Sequence, residues 1–148
     1  MKKIKPGYII LLLIGIFVAY KYFFDNSKEV NYYTQEVGKS LTDIRHEDYF
    51  ALQNKLSDNL KNSLSIDDIK HYIDTIKLGR EYKFVLSDYD KKPDSVVVSG
   101  TLIYKNSEKP LKVIYKDNNG TLLIESQKIG NSSLEPKSVK FPINSKSF

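Results

Sequence analysis

His46 and His71 are the only two histidines in the chain, and imidazole is the side chain best suited to proton transfer or metal binding near neutral pH. Neither stands in a His-x-x-x-His or His-x-x-Glu spacing. His46 falls in the charged run Arg45-His46-Glu47-Asp48 and His71 follows Lys70, so both read as solvated or capping side chains, and no metal is expected. The chain has no cysteine, which excludes disulfides, thiolate metal sites and cysteine nucleophiles. It also lacks a Gly-x-Ser-x-Gly elbow, a phosphate-cradling glycine loop and a dinucleotide fingerprint, so no cofactor is expected. Basic residues cluster at Lys91-Lys92 and at Lys109, Lys112 and Lys116, but Asp88, Asp90, Asp94, Glu108 and Asp117 stand among them. A nucleic-acid groove needs an uncompensated basic face, so no nucleic-acid partner is expected. What stands out is 11 tyrosines, side chains with an apolar ring and a polar tip that suit interfaces and semi-polar pockets.

The elements that must position these residues are read from periodicity. Val30, Tyr33, Val37, Leu41 and Ile44 recur at helical spacing, with Gly38 inside the stripe. A second helical stripe is Tyr49, Leu52, Leu56 and Leu60. A third, Ile66, Ile69, Ile73 and Ile76, opens at Ser65, a capping residue followed by Asp67 and Asp68. Gly79 reads as its stop. From Arg80 the period becomes two: Tyr82, Phe84 and Leu86 alternate, and Asp90 to Asp94 turns. Ser95 to Tyr104 is the strongest strand, with Val96, Val98, Leu102 and Tyr104 on one face and a bulge or bend expected at Gly100. Asn106 to Pro110 turns, Leu111, Val113 and Tyr115 alternate, and Asp117-Asn118-Asn119-Gly120 is a hairpin turn into Thr121 to Ile129. Helices first and an antiparallel meander second predict an α+β domain, helices packed on a curved antiparallel sheet.

Residues Tyr8 to Phe24 form an apolar run broken only by Lys21. At about 1.5 Å per helical residue it spans roughly 25 Å, close to a hydrocarbon core of ~30 Å. Tyr8, Tyr20 and Tyr22 suit the two interfaces. No pair of small residues stands where a signal peptidase would cut, so an uncleaved signal anchor is expected. Lys2, Lys3 and Lys5 precede the run without an acid, which predicts a cytoplasmic N-terminus and an extracytoplasmic remainder. These three and Lys21 are 4 of the 23 basic residues, and removing residues 1–24 leaves 19 basic against 18 acidic, so the folded part is nearly neutral. The expected organisation is a stub at 1–7, the anchor in the bilayer at 8–24, a linker at 25–29, a domain at 30–130 and an irregular tail at 131–148. Abundant Lys, Asn, Ile and Tyr suit a bacterial chain of AT-rich coding sequence.

The segments Asp48 to Leu52, Leu56 to Lys61 and Leu64 to Ile69, then Gly79, the strands Val96 to Tyr104 and Leu111 to Tyr115, and the Asn119-Gly120 turn resemble small bacterial NTF2-like domains. A cystatin-like domain is the rival fold. The NTF2-like resemblance implies a cone whose sheet wraps a pocket, but no single activity. In such a pocket a desolvated aspartate could act as base and a tyrosine could stabilise an enolate, which singles out Asp88 and Tyr89 with Tyr82 and Tyr104. Together with Tyr115 these are the expected pocket or interface residues. The resemblance also implies, by analogy with anchored NTF2-like domains of secretion and conjugation machines, a non-enzymatic module that binds an envelope protein. The alternatives are a carrier, or less readily a converter, of a small hydrophobic molecule, and a toxin-immunity protein.

Overall fold

The computed structural model describes residue 3 and residues 5–137, so most of the expected tail lies outside the described residues. Helix α1 runs from Pro6 to Arg45 without a break, 40 residues or about 60 Å. Proline at its first turn costs no hydrogen bond, because that amide has no helical partner in any case. The expected linker is absent: residues 25–29 are helical, since no glycine or proline interrupts the chain between Ile16 and Val37. The apolar run and the first amphipathic stripe are therefore one rod. Its first half is exposed, and its second half buries Tyr33, Val37, Leu41 and Ile44. This is the one helix among the described residues long and apolar enough to cross a membrane, and none of its apolar window is buried in the protein.

The second expected helix is two. Helix α2, Tyr49–Asn54, starts at Asp48, whose side chain accepts from the Ala51 amide at 3.0 Å. Helix α3, Asp58–Ser63, starts at Ser57. The break between them is held by the sheet: the Ser57 amide donates to the Ile124 carbonyl at 2.9 Å, and the Ile124 amide to the Lys55 carbonyl at 2.8 Å. Helix α4, Ile66–Ile76, carries the expected cap at Ser65, with Asp68 reaching back to form a reciprocal pair. Its stop is not Gly79 but Lys77, which takes the left-handed conformation at φ 49°.

Five antiparallel strands follow in sheet order: β1 Tyr82–Lys91, β2 Ser95–Tyr104, β3 Ser107–Asn118, β4 Thr121–Ile129 and β5 Ser132–Leu134. The last strand occupies part of the expected irregular tail. The β2–β3 turn is the pair Lys105-Asn106, both at positive φ, so the expected turn at 106–110 is mostly strand. The β3–β4 turn is Asn119-Gly120, as expected. One face of the sheet carries Val96, Val98, Leu102, Leu111, Val113 and Ile124, all buried against α1 to α4.

Two bulges set which side chains face that core. In β1, Leu86 pairs with Gly100 but Asp88 with Ser99, so Ser87 is the extra residue. In β4, Tyr115 pairs with Ile124 and Ile114 with Ser126, so Glu125 is extra. Gly100 is thus opposite the bulge rather than within it. A Cβ there would lie 2.3 Å from the Val85 carbonyl oxygen and 2.5 Å from the Phe84 ring, which is why this position is glycine.

Candidate functional site

Each bulge reverses the alternation that follows it. Continued from Tyr82, Phe84 and Leu86, the period of two puts Asp88 on the inner face. The extra residue at Ser87 instead turns Asp88 to solvent and places Tyr89 inward, half-buried, with its ring 5.0 Å from that of Tyr33. Glu29 beside its hydroxyl, then burial, raises the Tyr89 pKa. In β4 the same reversal brings Gln127 inside, fully buried, where strict alternation from Ile124 would have pointed Ser126 and Lys128 inward.

The five expected residues do not converge on one pocket. Tyr82 and Tyr104 are cross-strand partners at the end of the sheet far from the apolar half of α1, where both line an open groove of about 820 Å³. Tyr104 is buried and its hydroxyl donates to the Ile76 carbonyl at 3.3 Å. Tyr89 and Asp88 lie toward the other end of β1, and Tyr115 is two strands away on β3, also buried.

The interior of the cone holds polar groups that the sequence reading missed. Ser40 sits on the buried face of α1 and accepts from the Gln127 side-chain amide at 2.8 Å, while its own hydroxyl donates to the Val37 carbonyl. Ser40 was traceable, because it follows Val37 by three residues on the apolar stripe. Gln127 was not, because the bulge decides its side. The remaining buried polar residue among those described is Ser57, so no carboxylate is buried.

Two phenols close the interior on opposite sides. Tyr115 borders a cleft of about 330 Å³ between α1 and the β3–β4 hairpin, with Tyr32, Glu36, Lys39 and Lys55 around it. Lys39 is 2.5 Å from Glu36, and Lys55 donates to Asp43, so both ammonium groups are paired. Tyr72, on α4, borders a cleft of about 430 Å³ with Asp68, His71, Leu134 and Lys137. Burial drives both phenol pKa values well above the ordinary 10.0, with Glu36 and Tyr32 adding to the effect at Tyr115 and Tyr104 at Tyr72. Both therefore keep their protons and can only donate or accept a hydrogen bond. Among the described residues neither hydroxyl has a partner, nor does the Gln127 amide oxygen. No group of three or more His, Asp or Glu residues that could hold a metal occurs among the described residues.

No protein-family model matches the chain, and no curated protein does. Among solved structures it is similar to Rd1NTF2 carrying five substitutions, at 17% identity and a TM-score of 0.54, over 69% of this chain and 99% of the other. A de novo designed protein with a curved β-sheet matches at 10% identity and a TM-score of 0.47, over 64% and 95%. An NTF2-like protein of unknown function from Cytophaga hutchinsonii matches at 11% identity and a TM-score of 0.39, over 63% and 85%. The chain has an NTF2-like fold, with helices on a curved five-stranded antiparallel sheet and a long apolar helix at its start.

Proposed function

We propose that the chain is a membrane-anchored module of a bacterial cell envelope that binds another protein and carries out no chemistry of its own. Residues 8–24 cross the cytoplasmic membrane with the N-terminus inside, and the NTF2-like domain stands outside. The observation that carries this reading is the filled cone. Leu41, Leu56, Leu60, Ile69, Leu102 and Val113 have no exposed surface or almost none, and the buried polar residues among those described include no acid that could serve as a base. Phe50 on α2 is 66% exposed and Val85 on β1 42% exposed, apolar groups that a partner would cover. The test is cross-linking of intact membranes that hold the tagged full-length chain, followed by purification and mass spectrometry. A reproducible near-stoichiometric partner is the expected result. Recovery of the chain alone, with a control complex captured in parallel, would count against the reading.

A second reading is supported by the two buried hydroxyls. Tyr72 and Tyr115 each border a cleft and lack a partner among the described residues, so a small molecule with a hydrogen-bond acceptor could complete either one. Native mass spectrometry of the detergent-solubilised chain distinguishes this reading: a bound small molecule lost in Tyr115→Phe or Tyr72→Phe would favour it.

A further inference from the structure

The absence of a linker fixes where the domain stands relative to whatever holds the apolar helix. Strand β1 runs back along α1 toward the apolar half. Before β1, Arg80 lies beside Arg45 and His46 at the far end of the helix. Near the end of β1, the Tyr89 ring packs on Tyr33, and the Lys91 ammonium is 3.9 Å from the Glu29 carboxylate. Glu29 stands five positions after Phe24, the last of the apolar run, on the same helix, a rise of about 7.5 Å. The polar layer on each side of a bilayer's hydrocarbon core is itself roughly 5–7 Å thick. The turn after Lys91, residues Lys92, Pro93 and Asp94, continues in the same direction and is exposed.

From this geometry we infer that the β1–β2 turn docks into the phospholipid headgroup layer, with the ammonium group of Lys92 at the phosphates. The inference rests on the reading of residues 8–24 as a membrane span. Long lysine stems let the charge find the phosphate depth while the strand stays above it. Asp90 and Asp94 flank the two lysines, so the turn carries no net charge. It is set at that depth by the stiff helix, not recruited by an anionic lipid. Phe24 gives the helix a matching contact, with the Lys28 ammonium 4.4 Å from its ring centre. Docking would fix the domain's azimuth as well as its height, holding Arg80 and the Tyr82–Tyr104 groove away from the bilayer.

The chain has no cysteine, so single spin labels report cleanly. Full-length Lys92→Cys and Arg80→Cys variants are labelled and reconstituted in phosphatidylcholine vesicles, with and without phosphatidylglycerol. Flotation with the vesicles and resistance to alkaline extraction first establish that residues 8–24 are inserted; loss of both would sink the anchor reading and this inference with it. In the inserted protein the label at 92 is expected to collide several-fold less with a water-soluble nickel chelate than the label at 80, in both lipid mixtures. Equal accessibility of the two labels would overturn the docking while leaving the anchor intact. A Gly-Ser-Gly insertion between Asp25 and Asn26 is expected to return the label at 92 to water without releasing the protein. If that label stays at headgroup depth, the rigid helix is not what sets it and the inference fails.

Discussion

Gly100 is the position where one added carbon does most harm. Its Cβ would meet the Val85 carbonyl and the Phe84 ring inside van der Waals distance, and both belong to a paired strand that cannot withdraw freely. Gly100→Ala is expected to destabilise by about 1–3 kcal/mol, the usual cost of overpacking, read as a lower midpoint in chemical denaturation. Ser40 and Gln127 make the complementary case. Ser40→Ala leaves the Gln127 amide donor buried without its acceptor, at about 1–3 kcal/mol. Adding Gln127→Leu removes the orphan, so the double variant is expected to regain much of that loss. A double variant no better than Ser40→Ala alone would show that the pair contributes through packing. The special character of Gly100 was visible in the sequence, as a glycine inside a run of β-branched residues. Asp88 faces solvent for a local reason, one bulged serine that no period-of-two pattern reveals.

At the scale of elements, α4 is the most tightly specified helix. Its reciprocal cap at Ser65 and Asp68 was legible from residue types, but the partner that strengthens it was not. The Lys137 ammonium lies 2.7 Å from both Asp68 oxygens, which ties the segment after β5 to the helix start. Lys137 first, then the Ser65 amide and hydroxyl, hold the Asp68 carboxyl at about 2 against an ordinary 3.8. A depressed folded-state pKa means the stabilisation is complete above the ordinary value and drains away as pH falls through about 2. Asp68→Asn is therefore expected to flatten the dependence of thermal stability on pH across that acid window, and to change little of its slope at neutral pH. The group is partly exposed, so the effect is small and reads best as a slope rather than a midpoint. The α2–α3 break belongs to the same scale. Leu52, Leu56 and Leu60 continue one helical stripe, yet the backbone at Leu56 leaves the helix to pair with Ile124.

For the whole molecule, the consequence of one uninterrupted helix is a rod with an exposed apolar first half and a second half packed into the domain. Among the described residues, every buried one lies at or beyond Tyr33, so the apolar half adds nothing to the core. A chain starting at Asp25 is expected to unfold at the same temperature as the full-length protein in detergent, as measured by circular dichroism. A clear drop would mean that residues 8–24 support the domain as well as precede it. Placing two glycines at residues 27 and 28 is expected to leave that temperature unchanged and to loosen only the link between the apolar half of the rod and the domain, since neither position is buried.

Composition and periodicity were enough to determine the apolar span, the amphipathic face of α1 from Tyr33 to Ile44, the Ser65 cap, the inner face of β2 and the Asn119-Gly120 turn. Each of these depends on residues a few positions apart, where helical and strand geometry leave few choices. The tertiary structure decided the rest. The merger of the apolar run and the first amphipathic stripe came from packing at Tyr33 and beyond, combined with the lack of a helix breaker before it. The splitting of the second helix came from a sheet contact some 70 residues along the chain. The side on which Asp88, Tyr89 and Gln127 point came from single extra residues in paired strands. A bulge is a property of two strands in register, so the residues that a pocket or interface would use were settled only when the strands met.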